Sequence, residues 1–172
     1  MLTDKMSCVR NESSLSYTPV MPILLRPATD SDLPTLYEQQ LDPEATAMAA
    51  FPSRDEEAFY AHTRKIMANE SVIFRVIVYD GRVVGSIGSW EMGGKREVGY
   101  WIGKEFWGKG IATQALTQYL EVEKSRPLFG HVAKHNVGSK RVLEKNGFNV
   151  IGEDSYTNPA GVLVDEFVLK LE

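Results

Sequence analysis

The segment best suited to chemistry runs from residue 99 to residue 113, where a strand pattern leads through a glycine-containing loop into a helix. The loop carries Gly108, Lys109 and Gly110 directly before a helical stretch that begins at Ile111. The first amides of a helix have no partner within it, and they point together with the positive end of the helix dipole. Glycines let the backbone approach an anion closely. The pattern predicts a site for phosphate or pyrophosphate, to which Lys109 either adds charge or lies solvated beside it.

The glycines alone also allow a second interpretation, in which they only form the turn between a strand and a helix. Short glycine motifs are weak evidence for a function. The segment does not fit G-x-x-x-x-G-K-[ST], and it does not place G-x-G-x-x-G after a parallel strand. The loop by itself therefore leaves open a structural turn, a generic mononucleotide binder or a more specific phosphate site.

The elements that must position this loop follow from the patterning of the whole chain. Two dipeptides mark sharp changes of direction: Asp80-Gly81 predicts a tight antiparallel hairpin, and Asn146-Gly147 predicts a left-handed helix end. The predicted elements are a strand at 23–25, helices at about 30–40 and after the capping box Ser53-Arg54-Asp55-Glu56, strands at 72–79, 83–90 and 97–102, a helix at 111–123, a strand at 128–132, a helix at 137–145, and strands at 148–152 and 163–171. Residues 1–21 are predicted to be a flexible tail, and residues 22–172 a single α/β (α+β) domain with a mixed sheet.

The composition is that of an ordinary globular domain. Of the 172 residues, 43% are hydrophobic and 24% are charged. The net charge of −4 argues against nucleic acid or an anionic membrane as the main partner, because both favour a basic surface. We find no targeting signal and no apolar run of about 18 residues, so we expect a cytoplasmic protein. The single cysteine, Cys8, excludes an intrachain disulfide and a cysteine-based metal site, and we predict no metal.

The loop resembles the acyl-CoA pyrophosphate loop of the GNAT (GCN5-related) N-acetyltransferases, whose pattern is Q/R-x-x-G-x-G/A. The string Trp107-Gly108-Lys109-Gly110-Ile111-Ala112 matches this pattern at Gly110 and Ala112 and departs from it at Trp107, which stands where Gln or Arg is usual. The strings from Gly99 to Ile102 and from Phe106 to Thr113 are similar to those of the branch that acetylates ribosomal-protein N-termini. Trp107 is common in that branch, so the departure agrees with CoA binding.

Two further segments resemble the same family. Residues 136–148 are similar to its N-x-x-S-x-x-V-L-E-K-x-G-F segment, and residues 25–33 to its first strand and helix. The segments follow one another in the family's order over about residues 23–153. The resemblance implies a mainly antiparallel seven-stranded sheet with a splayed central strand pair and about four helices. It also implies transfer of an acetyl group from acetyl-CoA to a primary amine, on a small molecule or on a peptide or protein N-terminus.

The resemblance assigns the cofactor-binding roles to particular positions. The strand at Tyr100, Trp101 and Ile102 is expected to pair its backbone with the pantetheine amides, as an added strand would. The pyrophosphate is expected at the amides of Trp107, Gly108, Lys109, Gly110, Ile111, Ala112 and Thr113. Asn136 is expected to bond to pantetheine, to cap the following helix, or to do both. Ser139 either faces the sulfur of the cofactor or caps that helix.

Acyl transfer to an amine needs a neutral amine, stabilisation of the oxyanion and a proton for the departing thiolate. Many family members supply that proton from a tyrosine four residues before the glycine of the G-F pair. Leu143 stands at this position here, so Ser139 or a water molecule becomes the candidate acid, with Tyr100 as a weaker one. The missing tyrosine also leaves open a non-catalytic acyl-CoA-binding or sensing module.

Glu97 is the predicted general base, because it lies on the strand that feeds the loop, near where the family often places a carboxylate. The alternative is a solvent-exposed strand glutamate. His131 and His135 also titrate near neutral pH, and for both we favour a structural or solvent role.

The acceptor site is predicted to lie beside the first two helices and the loop between them. Its expected wall residues are Met48, Phe51, Trp90 and Glu97, with Glu91 as a further candidate, although Met48 and Phe51 are equally well explained as core. The sequence does not select one amine. A homodimer is a further option, since exposed sheet edges can pair.

Overall fold

The computed structural model describes residues 22–172, so the predicted tail lies outside the described residues. Seven strands form one sheet: β1 (Ile23–Pro27), β2 (Ile73–Tyr79), β3 (Arg82–Met92), β4 (Lys95–Ile102), β5 (Leu128–Ala133), β6 (Asn149–Thr157) and β7 (Leu163–Leu171). Five α-helices accompany them: α1 (Leu33–Gln40), α2 (Pro43–Ala49), α3 (Glu56–Met67), α4 (Ile111–Tyr119) and α5 (Val137–Lys145). Short 3-10 turns lie at Asp30–Asp32 and Lys104–Phe106. None of these helices is long and apolar enough to cross a membrane.

The strand order in the sheet is β1-β2-β3-β4-β5-β7-β6. Every neighbouring pair is antiparallel except β4 and β5, which are parallel. The mainly antiparallel seven-stranded sheet expected from the sequence is confirmed.

The parallel pair β4 and β5 is the feature of the fold that creates room for a ligand. These strands pair only at Arg96 with Leu128 and at Glu97 with Phe129. Beyond these two pairs, β4 with its eight residues and β5 with its six separate, although β4 stays paired with β3 as far as Ile102. Among the described strands, none pairs with the backbone of β4 beyond Glu97 on the side that faces β5, which is the splayed geometry implied by the family resemblance.

The two faces of β4 have different surroundings because successive side chains point to opposite sides of a strand. Val98 and Ile102 belong to the main hydrophobic cluster, which also contains Ile111 and Leu116 of α4. Glu97 and Trp101 point to the other face, where the Trp101 indole nitrogen donates a hydrogen bond to the Gln39 carbonyl oxygen of α1 at 3.3 Å. The sheet thus separates a packed α4 face from a face that carries Glu97.

Local chemistry corrects three helix predictions. Five α-helices are present where about four were expected, because α2 forms between Asp42 and Ala50. The Asp42 carboxylate accepts the amides of Glu44 and Ala45, both at 2.9 Å, and Pro43 occupies the first helical position. With only seven residues, this helix is too short to show a periodic pattern in the sequence.

The capping box predicted at Ser53 is wrong, because the N-cap of α3 is Asp55. The Asp55 carboxylate accepts the Ala58 amide at 2.8 Å, and the helix begins at Glu56. The predicted helix at 111–123 ends at Tyr119. Its expected last residue, Glu123, instead turns back into the protein interior.

Glu123 is the centre of a buried polar network that fixes α4 against β3 and β4. Its side chain is 1% exposed and accepts hydrogen bonds from Ser89 at 2.5 Å and from Arg96 at 2.8 Å. The Ser125 amide donates to its other oxygen at 2.8 Å. Burial alone would raise the pKa of Glu123, but these hydrogen bonds lower it to about 2. Because Arg96 is one of the two β4 residues paired with β5, the network anchors the strand where the splay begins.

We expect Glu123→Gln to lower the free energy of unfolding by about 3 to 5 kcal/mol, because it leaves the Arg96 guanidinium buried without its counter-charge. The depressed pKa also means that wild-type stability is lost as the pH falls from about 4.5 to about 2. Urea unfolding at several pH values measures both effects. The exposed Glu121, paired with Lys124, provides the control Glu121→Gln, for which we expect a change of about 0.5 kcal/mol or less. Equal stability of the two variants would contradict this account.

Candidate active site

A cleft of about 560 Å³ lies where β4 leaves β5, and it is bounded by the loop before α4, by α4 and α5, and by α2. Its walls include most of the positions predicted to bind the cofactor: Tyr100, Trp101, Ile102, Trp107, Gly108, Gly110, Ile111, Ala112, Thr113, Asn136 and Ser139. The splay thus brings the loop motif and the residue 136–148 segment, which are far apart in the sequence, to one site.

Unpaired backbone amides line the start of α4. Gly108 and Gly110 have φ values of +75° and +73°, in the left-handed region that favours glycine, and Gly110 is the N-cap of the helix. The first helical hydrogen bond runs from the Gln114 amide to the Gly110 carbonyl at 3.1 Å. Within residues 22–172 the amides of residues 108–113 have no protein acceptor. A Cβ placed at either glycine would meet no atom within 4 Å, so this end of the helix is open to an anion.

Trp107 holds the loop against the end of β4. Its indole nitrogen donates a hydrogen bond to the Ile102 carbonyl at 2.9 Å, and its own amide bonds to the Lys104 carbonyl at 3.0 Å. A tryptophan can therefore fix the position of this loop without the Gln or Arg that is usual in the family pattern.

The positive charge at the cleft comes from residues other than the one singled out in the sequence. The Lys109 ammonium lies 5.2 Å from the centre of the Phe106 ring and does not line the cleft. Arg141 and Lys145 on α5 do line it, and neither has a carboxylate within 4 Å in the described part of the chain. Sequence reasoning missed both, although their i, i+4 spacing places them on one helix face.

Tyr100 and Ser139 form a hydroxyl pair inside the cleft. The Tyr100 hydroxyl lies 2.8 Å from the Ser139 hydroxyl oxygen and 3.1 Å from the Ser139 carbonyl oxygen, to which it donates. Burial raises the pKa of Tyr100 to about 12, although the hydrogen bond with Ser139 acts in the opposite direction. Tyr100 is therefore a protonated phenol at neutral pH, able to donate a proton but unable to serve as a base.

Asn136 uses both ends of its amide within the protein. Its carbonyl oxygen accepts the Ser139 amide at 2.9 Å and so caps α5, and its nitrogen donates to the Met48 carbonyl of α2 at 3.2 Å. The next residue back, His135, donates to the Ala47 carbonyl at 2.9 Å. The structure thus shows the capping role of Asn136 and a second role in holding α2 over the cleft.

We expect Asn136→Ala to cost about 1 kcal/mol of stability through the lost cap and to weaken acetyl-CoA binding about 10-fold. Asn136→Ser keeps an oxygen that can cap the helix but lacks the amide nitrogen. Its stability should stay near that of the wild type while acetyl-CoA binding weakens. Calorimetric titration and thermal unfolding of both variants separate the two roles, and unchanged affinity in Asn136→Ser would limit Asn136 to capping.

Glu97 lies at the last paired position of β4, where the splay begins. It is only 5% exposed, so it is not the solvent-exposed strand glutamate considered as an alternative. Burial, and to a smaller extent the charge of Glu166, raise the pKa of Glu97 above its ordinary value, while His131 and Lys95 act in the opposite direction. Glu97 does not line the 560 Å³ cleft itself but lies where the strand edge that borders it begins, and a carboxylate with a raised pKa is suited to proton transfer.

His131 lies beside Glu97 and contacts a second carboxylate. Its Nε2 atom is 3.5 Å from a Glu97 oxygen, and its Nδ1 atom is 2.5 Å from a Glu166 oxygen. Sequence reasoning missed Glu166. The alternation along β7 could have revealed it. Glu166 lies two residues after Val164 and so points to the same side of the strand, and both residues are buried. Among residues 22–172, no three His, Cys, Asp or Glu side chains are arranged so that they could hold a metal ion together.

The expected acceptor-wall residues do not lie together. Met48 lines the cofactor cleft, whereas Phe51 lines a separate cavity of about 600 Å³ between α2 and the β6–β7 loop. Trp90 is half-buried on β3 opposite Glu97, with its ring over Gly99. Glu91 is exposed. Helix α2, unpredicted in the sequence, forms the partition between the two cavities.

Comparison with known proteins identifies the class to which this fold and cleft belong. Residues 23–149 match the family model of the acetyltransferase (GNAT) domain, and the chain therefore belongs to the GNAT acetyltransferase family. The resemblance found in the sequence is confirmed at this level. Acetyl-CoA is accordingly the acyl donor of this enzyme.

Solved structures share the fold, whereas no curated protein sequence matches. One described as a probable acetyltransferase is 25% identical, with a TM-score of 0.72, and the match covers 87% of this chain and 92% of that chain. RimJ of Mycobacterium smegmatis, in complex with CoA-disulfide, is 22% identical with a TM-score of 0.73, over 89% and 83% of the two chains. RimL, a ribosomal L7/L12 α-N-protein acetyltransferase in complex with coenzyme A, is 20% identical with a TM-score of 0.69, over 87% and 93%.

Proposed function

We propose that this acetyltransferase moves the acetyl group of acetyl-CoA directly to a primary amine, on a small molecule or on a peptide or protein N-terminus, with Glu97 as the general base. The observation that carries the proposal is the place of Glu97: a buried carboxylate at the point where β4 and β5 separate. The edge of β4 that is free for a cofactor begins directly after Glu97, so an acyl group held at that end of the strand would lie near this carboxylate.

The residues of the cleft suit each part of coenzyme A. Within residues 22–172 the amides of residues 108–113 and the cations Arg141 and Lys145 have no partner, and they provide for its phosphates. The unpaired edge of β4 beyond Glu97 offers backbone donors and acceptors to the pantetheine amides. The cofactor supplies an activated thioester, and the protein supplies its orientation and the groups that move protons.

The reaction releases one proton overall and needs two proton transfers. The ammonium of the acceptor first gives a proton to Glu97, and the resulting neutral amine attacks the thioester carbonyl carbon. The C–N bond forms and the C–S bond breaks. The nitrogen of the new amide then loses its second proton, and the departing thiolate takes up one proton. The raised pKa of Glu97 brings its proton affinity closer to that of an amine, which favours the first transfer.

Ser139 is the proposed proton donor to the departing thiolate, backed by Tyr100. The Tyr100 hydroxyl lies 2.8 Å from that of Ser139 and can return a proton to it. The same contact argues against Ser139 as a nucleophile, because a protonated phenol cannot activate a hydroxyl group. This arrangement would replace the tyrosine that the family often carries at the position of Leu143.

An acceptor screen tests the proposed function. The protein is mixed with acetyl-CoA and a panel of primary amines: spermine, tryptamine, kanamycin and tetrapeptides with each of the twenty N-terminal residues. Free thiol release and the mass of one added acetyl group on the amine report turnover. Turnover of at least one amine that falls with Glu97→Gln supports the proposal. Tight binding of acetyl-CoA without turnover of any amine would instead favour the non-catalytic module.

We also propose that the protein acts in the cytoplasm and forms a homodimer. The composition, with one cysteine in 172 residues, supports a reducing compartment. The outer strand β6 is exposed along almost its whole length, with Val150 and Ile151 on the surface, which supports pairing between copies. Sedimentation at several protein concentrations tests the dimer, and fluorescence microscopy of the tagged protein tests the location.

A further inference from the structure

The cluster of Glu97, His131 and Glu166 contains more proton-binding groups than a single general base requires. The three side chains come from β4, β5 and β7, and they meet on the sheet face opposite α4. Glu97 and Glu166 are buried and His131 is half-buried. Two carboxylates therefore flank one imidazole in a place where water screens their charges poorly.

The distances define which imidazole nitrogen carries a proton. An ionised carboxylate only accepts hydrogen bonds, so with Glu166 ionised the 2.5 Å contact assigns a proton to Nδ1 of His131. In a neutral imidazole the other nitrogen, Nε2, is then an acceptor, and it faces a Glu97 oxygen at 3.5 Å. No hydrogen bond joins these two atoms, so the Nε2 lone pair is available to a proton that Glu97 has received.

The surroundings favour transfer of a proton from Glu97 to His131. The charged and titratable groups that face the cluster from neighbouring strands are Lys95 on β4, Asp154 and Tyr156 on β6 and Lys170 on β7. His131 contacts two carboxylates, those of Glu97 and Glu166. Glu166 lies at the ring nitrogen on the side away from Glu97. An extra positive charge on His131 is therefore stabilised by Glu166 at the moment when Glu97 receives a proton.

We propose that His131 and Glu166 are positioning residues that form a proton relay behind Glu97. This inference rests on the proposed function of Glu97 and extends it. The ammonium of the acceptor gives its proton to the Glu97 carboxylate, and Glu97 passes a proton to Nε2 of His131. The resulting imidazolium remains paired with the Glu166 carboxylate until the proton leaves to solvent. Glu97 is thereby restored as a carboxylate, and no co-reactant is consumed.

Nitrogen NMR of the free protein tests the relay without any acceptor. The chain has only three histidines, so ¹⁵N signals of the rings can be assigned with His62→Gln and His135→Gln. We expect Nδ1 of His131 to stay protonated over the whole pH range, and Nε2 to gain and lose its proton. Glu166→Gln and Glu97→Gln should each shift the protonation of Nε2 to lower pH, because each removes a negative charge beside the ring. A neutral ring protonated on Nε2, or no shift in either variant, would overturn the proposal.

Kinetics with the panel amine that has the highest kcat/KM provide the second test. We expect His131→Gln and Glu166→Gln to lower kcat about 10-fold with little change in KM for acetyl-CoA, and to move the acid limb of the pH–rate profile. Glu153→Gln is the matched control, because Glu153 is exposed on β6 and paired with Lys134. An unchanged profile in both relay variants would overturn the relay while leaving Glu97 as the base. If no amine turns over but the NMR coupling is found, the proposed function fails and the proton-sharing cluster stands.

Discussion

Gly110→Trp is expected to abolish measurable binding of coenzyme A and to leave the protein folded. Gly110 is exposed, is the N-cap of α4 and has a φ of +73°. An indole at this position would fill the space in front of the amides that are expected to bind phosphate. We expect the affinity to fall at least about 100-fold, equivalent to about 2.8 kcal/mol, in a calorimetric titration with coenzyme A.

The control for this substitution must carry the same backbone strain at a distance from the cleft. Gly94 has a φ of +76° in the turn between β3 and β4, and a Cβ there also meets nothing within 4 Å. Gly94→Trp should therefore share the loss of stability that a non-glycine residue suffers in this conformation and retain the affinity for coenzyme A. Normal binding by Gly110→Trp, or equal loss in both variants, would refute the assignment of the loop.

Glu97→Gln is expected to lower kcat/KM by a factor of about 100 to 10,000, the range over which general bases contribute. The wild-type rate should fall as the pH drops through the raised pKa of Glu97, because the protonated carboxyl group cannot accept a proton. The variant should lack this acid limb. It should recover part of its rate at high pH, where the acceptor amine loses its proton to solvent, so pH–rate profiles of both proteins measure the effect.

Stability distinguishes a lost base from a damaged fold. A carboxyl group with a raised pKa in the folded state binds its proton more tightly when the protein is folded. Its contribution to folding is therefore present at low pH and is lost as the pH rises through that pKa. Glutamine carries no charge to bury, so the free energy of unfolding of Glu97→Gln at neutral pH should equal or exceed that of the wild type. A slower and clearly less stable variant would instead point to a structural role for Glu97.

Much of the fold could be predicted because its signals are local. Alternation of apolar residues predicts the strands, and Asp80-Gly81 lies at the hairpin between β2 and β3, with φ values of +51° and +70°. Gly147, with a φ of +87°, ends α5 as expected. The helix caps were less certain, because Ser53 and Asp55 are both residues that accept amide hydrogen bonds. Only the backbone around them decides which one does so.

The sequence by itself determined the family, the strands of the sheet and the glycine loop before α4, since each depends on residues that are close together in the chain. The tertiary structure decided which distant side chains meet. Whether Glu97 was an exposed strand glutamate or a buried carboxylate depended on the short pairing of β4 with β5. Its contact with His131, and that of His131 with Glu166, depend on the β4-β5-β7 order of the sheet. A side chain's neighbours across a sheet are set by strand order and register, and no local pattern in the sequence encodes them.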